Sequence, residues 1–143
     1  MQLTQALHKA LREKPQATAV VFGERRSSFA RLHNRVARVA AVLRGLGMAP
    51  GDRVAMLAMN SDHYVEYLFG TWWGGGAINP VNVRWSPQEI AYSLDDCDTH
   101  IMLVDKFFAK QVASLLTGRY TPEEAPKLLT GKPSGIKNTI AFG

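Results

Sequence analysis

The residue types that could do chemistry are few and scattered along the chain. Arg84 stands just before Ser86-Pro87-Gln88-Glu89, a segment that starts a helix, and an arginine beside a helix N-terminus meets a local field that favours anions. The same guanidinium could instead pair with the Glu89 carboxylate as an ordinary solvated charge. Near the end, Thr130-Gly131-Lys132-Pro133-Ser134-Gly135 combines a lysine with glycines whose amides could wrap an anion; a chance arrangement in a Gly- and Pro-rich tail is the simpler account. His8, His33, His63 and His100 lack the spacing of metal ligands. Cys97 has no catalytic signature nearby and reads as a small buried apolar residue. Arg31, Arg35, Arg38 and Arg44 follow one another along one segment; a nucleic-acid footprint is conceivable, but a solvated helix face is simpler. Trp72-Trp73-Gly74-Gly75-Gly76 could line an apolar pocket, or simply end a helix in the core.

These residues need elements to hold them, and the hydrophobic periodicity predicts an alternation of helices and strands. Leu3, Ala6, Leu7, Ala10 and Leu11 fall on one helical face, ended by Pro15. Thr18 to Phe22 reads as a strand, and Arg26-Ser27-Ser28 can pair back on it. Ser28 caps a long helix whose stripe is Phe29, Leu32, Val36, Val39, Ala40 and Leu43, stopped by Gly45 and Gly47. Val54 to Met59 is a continuous apolar run, as in a strand buried on both faces of a parallel sheet. Asn60 and Ser61 are candidate caps for a helix carrying Tyr64, Val65, Leu68, Phe69 and Trp72, and Ala77-Ile78-Asn79 reads as a short buried strand. Ser86 to Glu89 is a capping box with proline at the first helical position, and Ile90, Ala91 and Leu94 give that helix its buried side. His100 to Val104 is a further strand, and Lys106 to Leu116 a further helix with Phe107, Phe108, Val112 and Leu115 or Leu116 inward. The expected fold class is therefore α/β with a largely parallel sheet, over a domain spanning 1–116. From 117 to 143 no period survives, which predicts a linker or tail, or a non-native continuation.

Composition bounds the rest. The chain has 143 residues, 46% of them hydrophobic and 20% charged, which are globular values. Its 17 Lys and Arg against 12 Asp and Glu leave a net charge of +5, which permits an anionic ligand without demanding one. One cysteine excludes an internal disulfide. With no apolar segment of signal-peptide or membrane-spanning length, the expectation is a soluble cytoplasmic protein.

Several of these pieces occur in a familiar order. Ser28-Phe29-Ala30-Arg31-Leu32, Arg35 to Ala41, Leu46-Gly47-Met48-Ala49-Pro50-Gly51-Asp52-Arg53-Val54-Ala55, Asn60 and Glu66, Gly76-Ala77-Ile78-Asn79-Pro80-Val81-Asn82-Val83-Arg84, and Glu89-Ile90-Ala91-Tyr92 with Leu94-Asp95-Asp96-Cys97 together resemble the N-terminal part of AMP-forming acyl-CoA synthetases. These belong to the adenylate-forming superfamily, with luciferases and peptide-synthetase adenylation domains. The resemblance covers residues 15–105 and implies the incomplete N-terminal part of that fold. It implies a parent enzyme that joins a carboxylic acid, a fatty acid by expectation, to coenzyme A through an acyl-adenylate, using ATP, magnesium and coenzyme A. It also implies that Arg84 lies near the coenzyme A phosphates.

The resemblance also shows what the 143 residues lack. The family's phosphate loop, of the Ser-Gly-Thr-Thr-Gly type, and its acidic ribose-binding segment and C-terminal lid have no counterpart in this sequence. Thr130, Gly131 and Lys132 resemble the end of the phosphate loop, yet Ser134 stands where the family has lysine and Leu128-Leu129 replaces its hydroxyl-rich first half. The expectation is a scaffold portion of a ligase that has no catalytic residue or metal site of its own and binds no cofactor alone. The alternative is a stand-alone, non-catalytic binding or interaction module on the same fold. Self-association through uncovered apolar surface is a further expectation; a nucleic-acid partner and a membrane span are not expected.

Overall fold

The structure is a computed structural model, and it describes residues 3–115, 118–120 and 138–142. The chain opens with helix α1 (Gln5–Glu13), followed by a hairpin of β1 (Thr18–Phe22) and β2 (Arg25–Ser28). Then come α2 (Phe29–Gly45), β3 (Arg53–Leu57), α3 (Asp62–Gly74), β4 (Ala77–Pro80), α4 (Pro87–Asp96) and β5 (Ile101–Asp105). Two further strands, β6 (Gly118–Tyr120) and β7 (Asn138–Phe142), complete the set. Strands β4-β3-β5-β7-β6, in that spatial order, form one sheet in which every pairing is parallel. This is the α/β parallel architecture that the sequence predicts.

Local chemistry sets the element ends. Ser28 Oγ accepts from Arg31 N at 3.2 Å and starts α2. Ser86 Oγ accepts from Glu89 N at 3.3 Å while the Glu89 carboxylate takes the Ser86 N–H at 2.7 Å, so the capping box that starts α4 closes in both directions. Gly75, at φ 92°, supplies the left-handed residue that ends α3.

Alternate residues of β3 and β5 point to opposite faces of the sheet. Val54, Met56, Ile101 and Leu103 pack with Leu43, Leu46 and Tyr67 of the α2–α3 layer. Ala55, Leu57, Met102 and Val104 pack with Ile90 and Leu94 of α4 and with Phe108 and Val112. The β3-to-β4 and β4-to-β5 connections step across the sheet in opposite directions, and crossovers of one hand then require α3 and α4 on opposite faces. Outside α2 and α3, Leu7 of α1 packs on Leu32 and Val36. Helices α2 and α3 touch closely where Gly70 meets Val39: a Cβ at position 70 would lie 2.7 Å from that of Val39.

Several expectations are corrected. Lys106 to Leu116 is not one helix: 3-10 turns span Lys106–Phe108 and Ala113–Leu115. Asp105 Oδ1 caps the first turn by accepting the Phe107 N–H at 2.9 Å, but the backbone then closes i to i+3 bonds, Ala109 N–H to Lys106 O at 3.2 Å and Gln111 N–H to Phe108 O at 3.0 Å; Phe107 is exposed while Phe108 and Val112 turn inward. Strand β4 lies at one edge of the sheet, so Ala77 is exposed and Ile78 and Asn79 half-buried rather than buried. Cys97 is half-buried rather than buried. Ser61 occupies the N-cap of α3 without a side-chain cap bond. Trp72 and Trp73 are only half-buried. Strands β6 and β7 lie in the stretch for which periodicity predicts no element.

Candidate functional site

In an open parallel sheet, ligands collect beyond the carboxyl ends of strands at the point where successive connections leave on opposite faces. Here that point lies between β3 and β5, since α3 covers one face and the chain after β5 covers the other. An open pocket of about 350 Å³ lies on the α2–α3 face there, lined by Val39, Val42, Leu43, Met56 and Leu103 on its apolar side. Arg35, Arg38, His63, Glu66 and Tyr67 supply its polar wall. A smaller cleft of about 220 Å³, between the β1–β2 hairpin and the helices, shares Arg35, His63 and Glu66 with it.

The shared wall is an ion pair made by residues 31 positions apart. Arg35 of α2 grips Glu66 of α3 with both Nε and Nη2, the second at 2.8 Å, and His63 Nδ1 lies 3.3 Å from the same carboxylate. Glu66 is buried. The hydrogen bonds to Glu66 hold the Arg35 guanidinium above its ordinary pKa, against the opposing effect of burial. Nearby, Arg25 Nη2 meets Asp62 Oδ1 at 2.7 Å and ties the hairpin to the first turn of α3. Beneath the wall, the Tyr67 hydroxyl donates to Val54 O at 2.7 Å and accepts from Asn79 N at 2.9 Å, which fastens α3 to both β3 and β4. Burial pushes this phenol well above its usual pKa. A guanidinium and a phenol locked in their protonated forms are poor proton-transfer groups at neutral pH. The wall therefore sets shape and helix register, and the pocket beside it offers apolar surface with a basic rim.

Arg84 lies elsewhere, exposed in the loop between β4 and α4. Its backbone N–H donates to Asn82 Oδ1 at 2.9 Å, which shapes the loop. Glu89 is committed to the capping box, and its bonds from the Ser86 N–H and hydroxyl hold its carboxyl below the usual range. Arg84 lines neither pocket. Thr130, Gly131 and Lys132 fall outside the described residues. The solvated helix face expected for Arg31, Arg35, Arg38 and Arg44 is corrected in two places. Arg35 binds Glu66, and Arg44 donates to the Trp73 and Gly74 carbonyls at 3.0 and 3.3 Å, at the free end of α3. Glu66 stands out in the sequence only as one piece of the family resemblance, without a role, and Tyr67 does not stand out; the available signal is a lone carboxylate inside the apolar run Tyr64-Val65-Glu66-Tyr67-Leu68. Among the described residues no group of three or more His, Cys, Asp or Glu could hold a metal ion, and no helix is long and apolar enough to cross a membrane.

The profile of the family described as AMP-binding enzyme matches residues 7–137. A feruloyl-CoA synthase of an Amycolatopsis species is 39% identical over 108 residues, which are 76% of this chain and 22% of that protein. The fatty acid--[acyl-carrier-protein] ligase ScoC of Streptomyces coeruleorubidus is 35% identical over 102 residues, 71% of this chain and 20% of that protein. The chain thus spans about a fifth of the curated relatives it matches. Among solved structures, the anthranilate CoA ligase AuaEII in complex with anthranoyl-AMP superimposes with a TM-score of 0.80 at 22% identity, covering 100% of this chain and 25% of that one. The N-terminal domain of FACL13 from Mycobacterium tuberculosis also gives 0.80 at 22% identity, covering 99% and 34%. At that identity the two structures share the fold.

Proposed function

The chain belongs to the AMP-binding enzyme family, and from that membership we propose that it is the N-terminal portion of an ATP-dependent carboxylic acid–CoA ligase, one that forms an acyl-adenylate and then an acyl-CoA. The family match along residues 7–137 carries this reading. Two relatives support it, one a feruloyl-CoA synthase and the other a fatty acid ligase that acts on an acyl-carrier protein. A fatty acid is the proposed acid class. ATP with magnesium and coenzyme A are the proposed cofactors of the whole enzyme. This portion contributes the sheet and the α2–α3 layer against which the reactive parts assemble. It does not adenylate an acid alone: its 143 residues include no Ser-Gly-Thr-Thr-Gly loop to neutralise the triphosphate. Arg84 is the proposed contact to the coenzyme A phosphates, since it is exposed and its loop is held by Asn82 rather than by an ion pair with Glu89.

One experiment tests these points together. The matching segment of the Amycolatopsis feruloyl-CoA synthase is replaced by this chain, and acid-dependent pyrophosphate release and CoA-ester formation are measured beside the isolated chain. The graft is expected to turn over and the isolated chain to be silent. Arg84→Ala in the graft is expected to raise KM for coenzyme A about tenfold, roughly one charge-assisted hydrogen bond, and to leave adenylation intact. Turnover by the isolated chain, or a folded graft without activity, overturns the proposal.

A further inference from the structure

Away from both pockets, three helices meet at a cluster of rings for which the ligase reading has no use. His8 of α1, His33 of α2 and Trp73 of α3 stand edge to face in all three pairings, with ring centroids 5.3 Å (His8–His33), 4.6 Å (His8–Trp73) and 4.8 Å (His33–Trp73) apart. All three side chains are half-buried. Helix α1 otherwise rests on a small apolar contact: it buries Leu7 and Ala10, and Leu7 packs on Leu32 and Val36.

The charges around the cluster do not favour two imidazolium rings. On α1, Arg12 follows His8 by one helical turn, and Glu13 lies 3.9 Å from Lys9. On α2, the residues one turn before and after His33 are Phe29, Ala30, Val36 and Ala37. On α3, the Trp73 carbonyl accepts from Arg44, while Glu66 is held by Arg35 and His63 and Asp62 by Arg25. The face of Trp73 can attract one cation, but a second imidazolium at this distance meets its like-charged neighbour. His33 accordingly sits below its ordinary pKa, from burial first and from the charge of His8 second.

We infer that His8, His33 and Trp73 form an acid-sensitive clasp, in which protonation of the two imidazoles releases α1 from the α2–α3 layer while the parallel sheet stays folded. The sign follows from linkage. A histidine whose folded pKa lies below its unfolded 6.5 binds a proton more readily once the clasp opens. Its contribution to docking is therefore present above that value and is lost as pH falls through the lower, folded one. Local opening of this kind is available to an element with few buried contacts.

Amide hydrogen exchange of the full chain at about pH 7.5 and about pH 5.5, corrected for the intrinsic pH effect, reads this out. The expected result is loss of protection across Gln5–Glu13 at the lower pH, with β3 and β5 still protected, and no such loss in the double variant His8→Gln, His33→Gln. As a check that needs no variant, the His33 imidazole is expected to titrate below 6.5 in the unmodified chain by NMR. Unchanged α1 protection, simultaneous loss from α1 and β3, a pH effect that survives the double variant, or His33 titrating at or above that value would each overturn the clasp.

Discussion

The two faces of the parallel sheet are built differently. On the α4 side, Ala55, Leu57, Met102 and Val104 meet Ile90, Leu94, Phe108 and Val112 in a buried apolar cluster, and the Asn79 amide, next to Ala55 across the β3–β4 pairing, donates to Thr99 Oγ1 at 3.1 Å. On the α2–α3 side, the same two strands meet a helix pair held by a buried carboxylate on an arginine and a phenol bonded to two strands, beside an open pocket. The apolar face tolerates no loss of volume, because close-packed interiors relax only partly around a cavity. The polar face depends on directed bonds, and leaves apolar wall such as Val42 beside open space.

Removing side chains from each face in turn tests the contrast. The largest effect is expected from Ile90→Ala on the sealed face, where the residue is fully buried: about 2–5 kcal/mol of unfolding free energy, read from urea titration. A loss below about 1 kcal/mol would show that face to be loosely packed. Tyr67→Phe should cost less, about 1–2 kcal/mol, because it orphans the Asn79 N–H and a Val54 acceptor but leaves the ring in place; a neutral result would show that neither bond holds α3 to the sheet. The smallest effect is expected from Val42→Ala on the wall of the open pocket, under about 1 kcal/mol in the same titration. A cost matching that of Ile90→Ala would mean that the pocket closes in solution.

The parts of the fold legible in the sequence are those whose cause is local. The capping box of α4 needs only Ser86 and Glu89, three residues apart, and it forms as read. The apolar run from Val54 declares a strand covered on both faces, and β3 is one. Where the local cause is weak the outcome differs: Lys106 to Leu116 has a helical pattern and Asp105 caps its start, yet the backbone closes i to i+3 bonds such as Gln111 N–H to Phe108 O and forms 3-10 turns at Lys106–Phe108 and Ala113–Leu115. Of the candidate site, Arg84 could be placed in its loop from sequence, whereas the Arg35–Glu66–His63 wall could not.

From the sequence alone came the alternation of helices and strands as far as β5, the caps at Ser28 and Ser86 and the family, because each is encoded within a few residues or in an ordered series of short motifs. The strand order β4-β3-β5-β7-β6, the burial of Glu66 against Arg35 and the meeting of His8, His33 and Trp73 were decided by tertiary structure. Each joins residues tens of positions apart, and no local preference selects such partners; only packing a common core brings them within hydrogen-bond or van der Waals range.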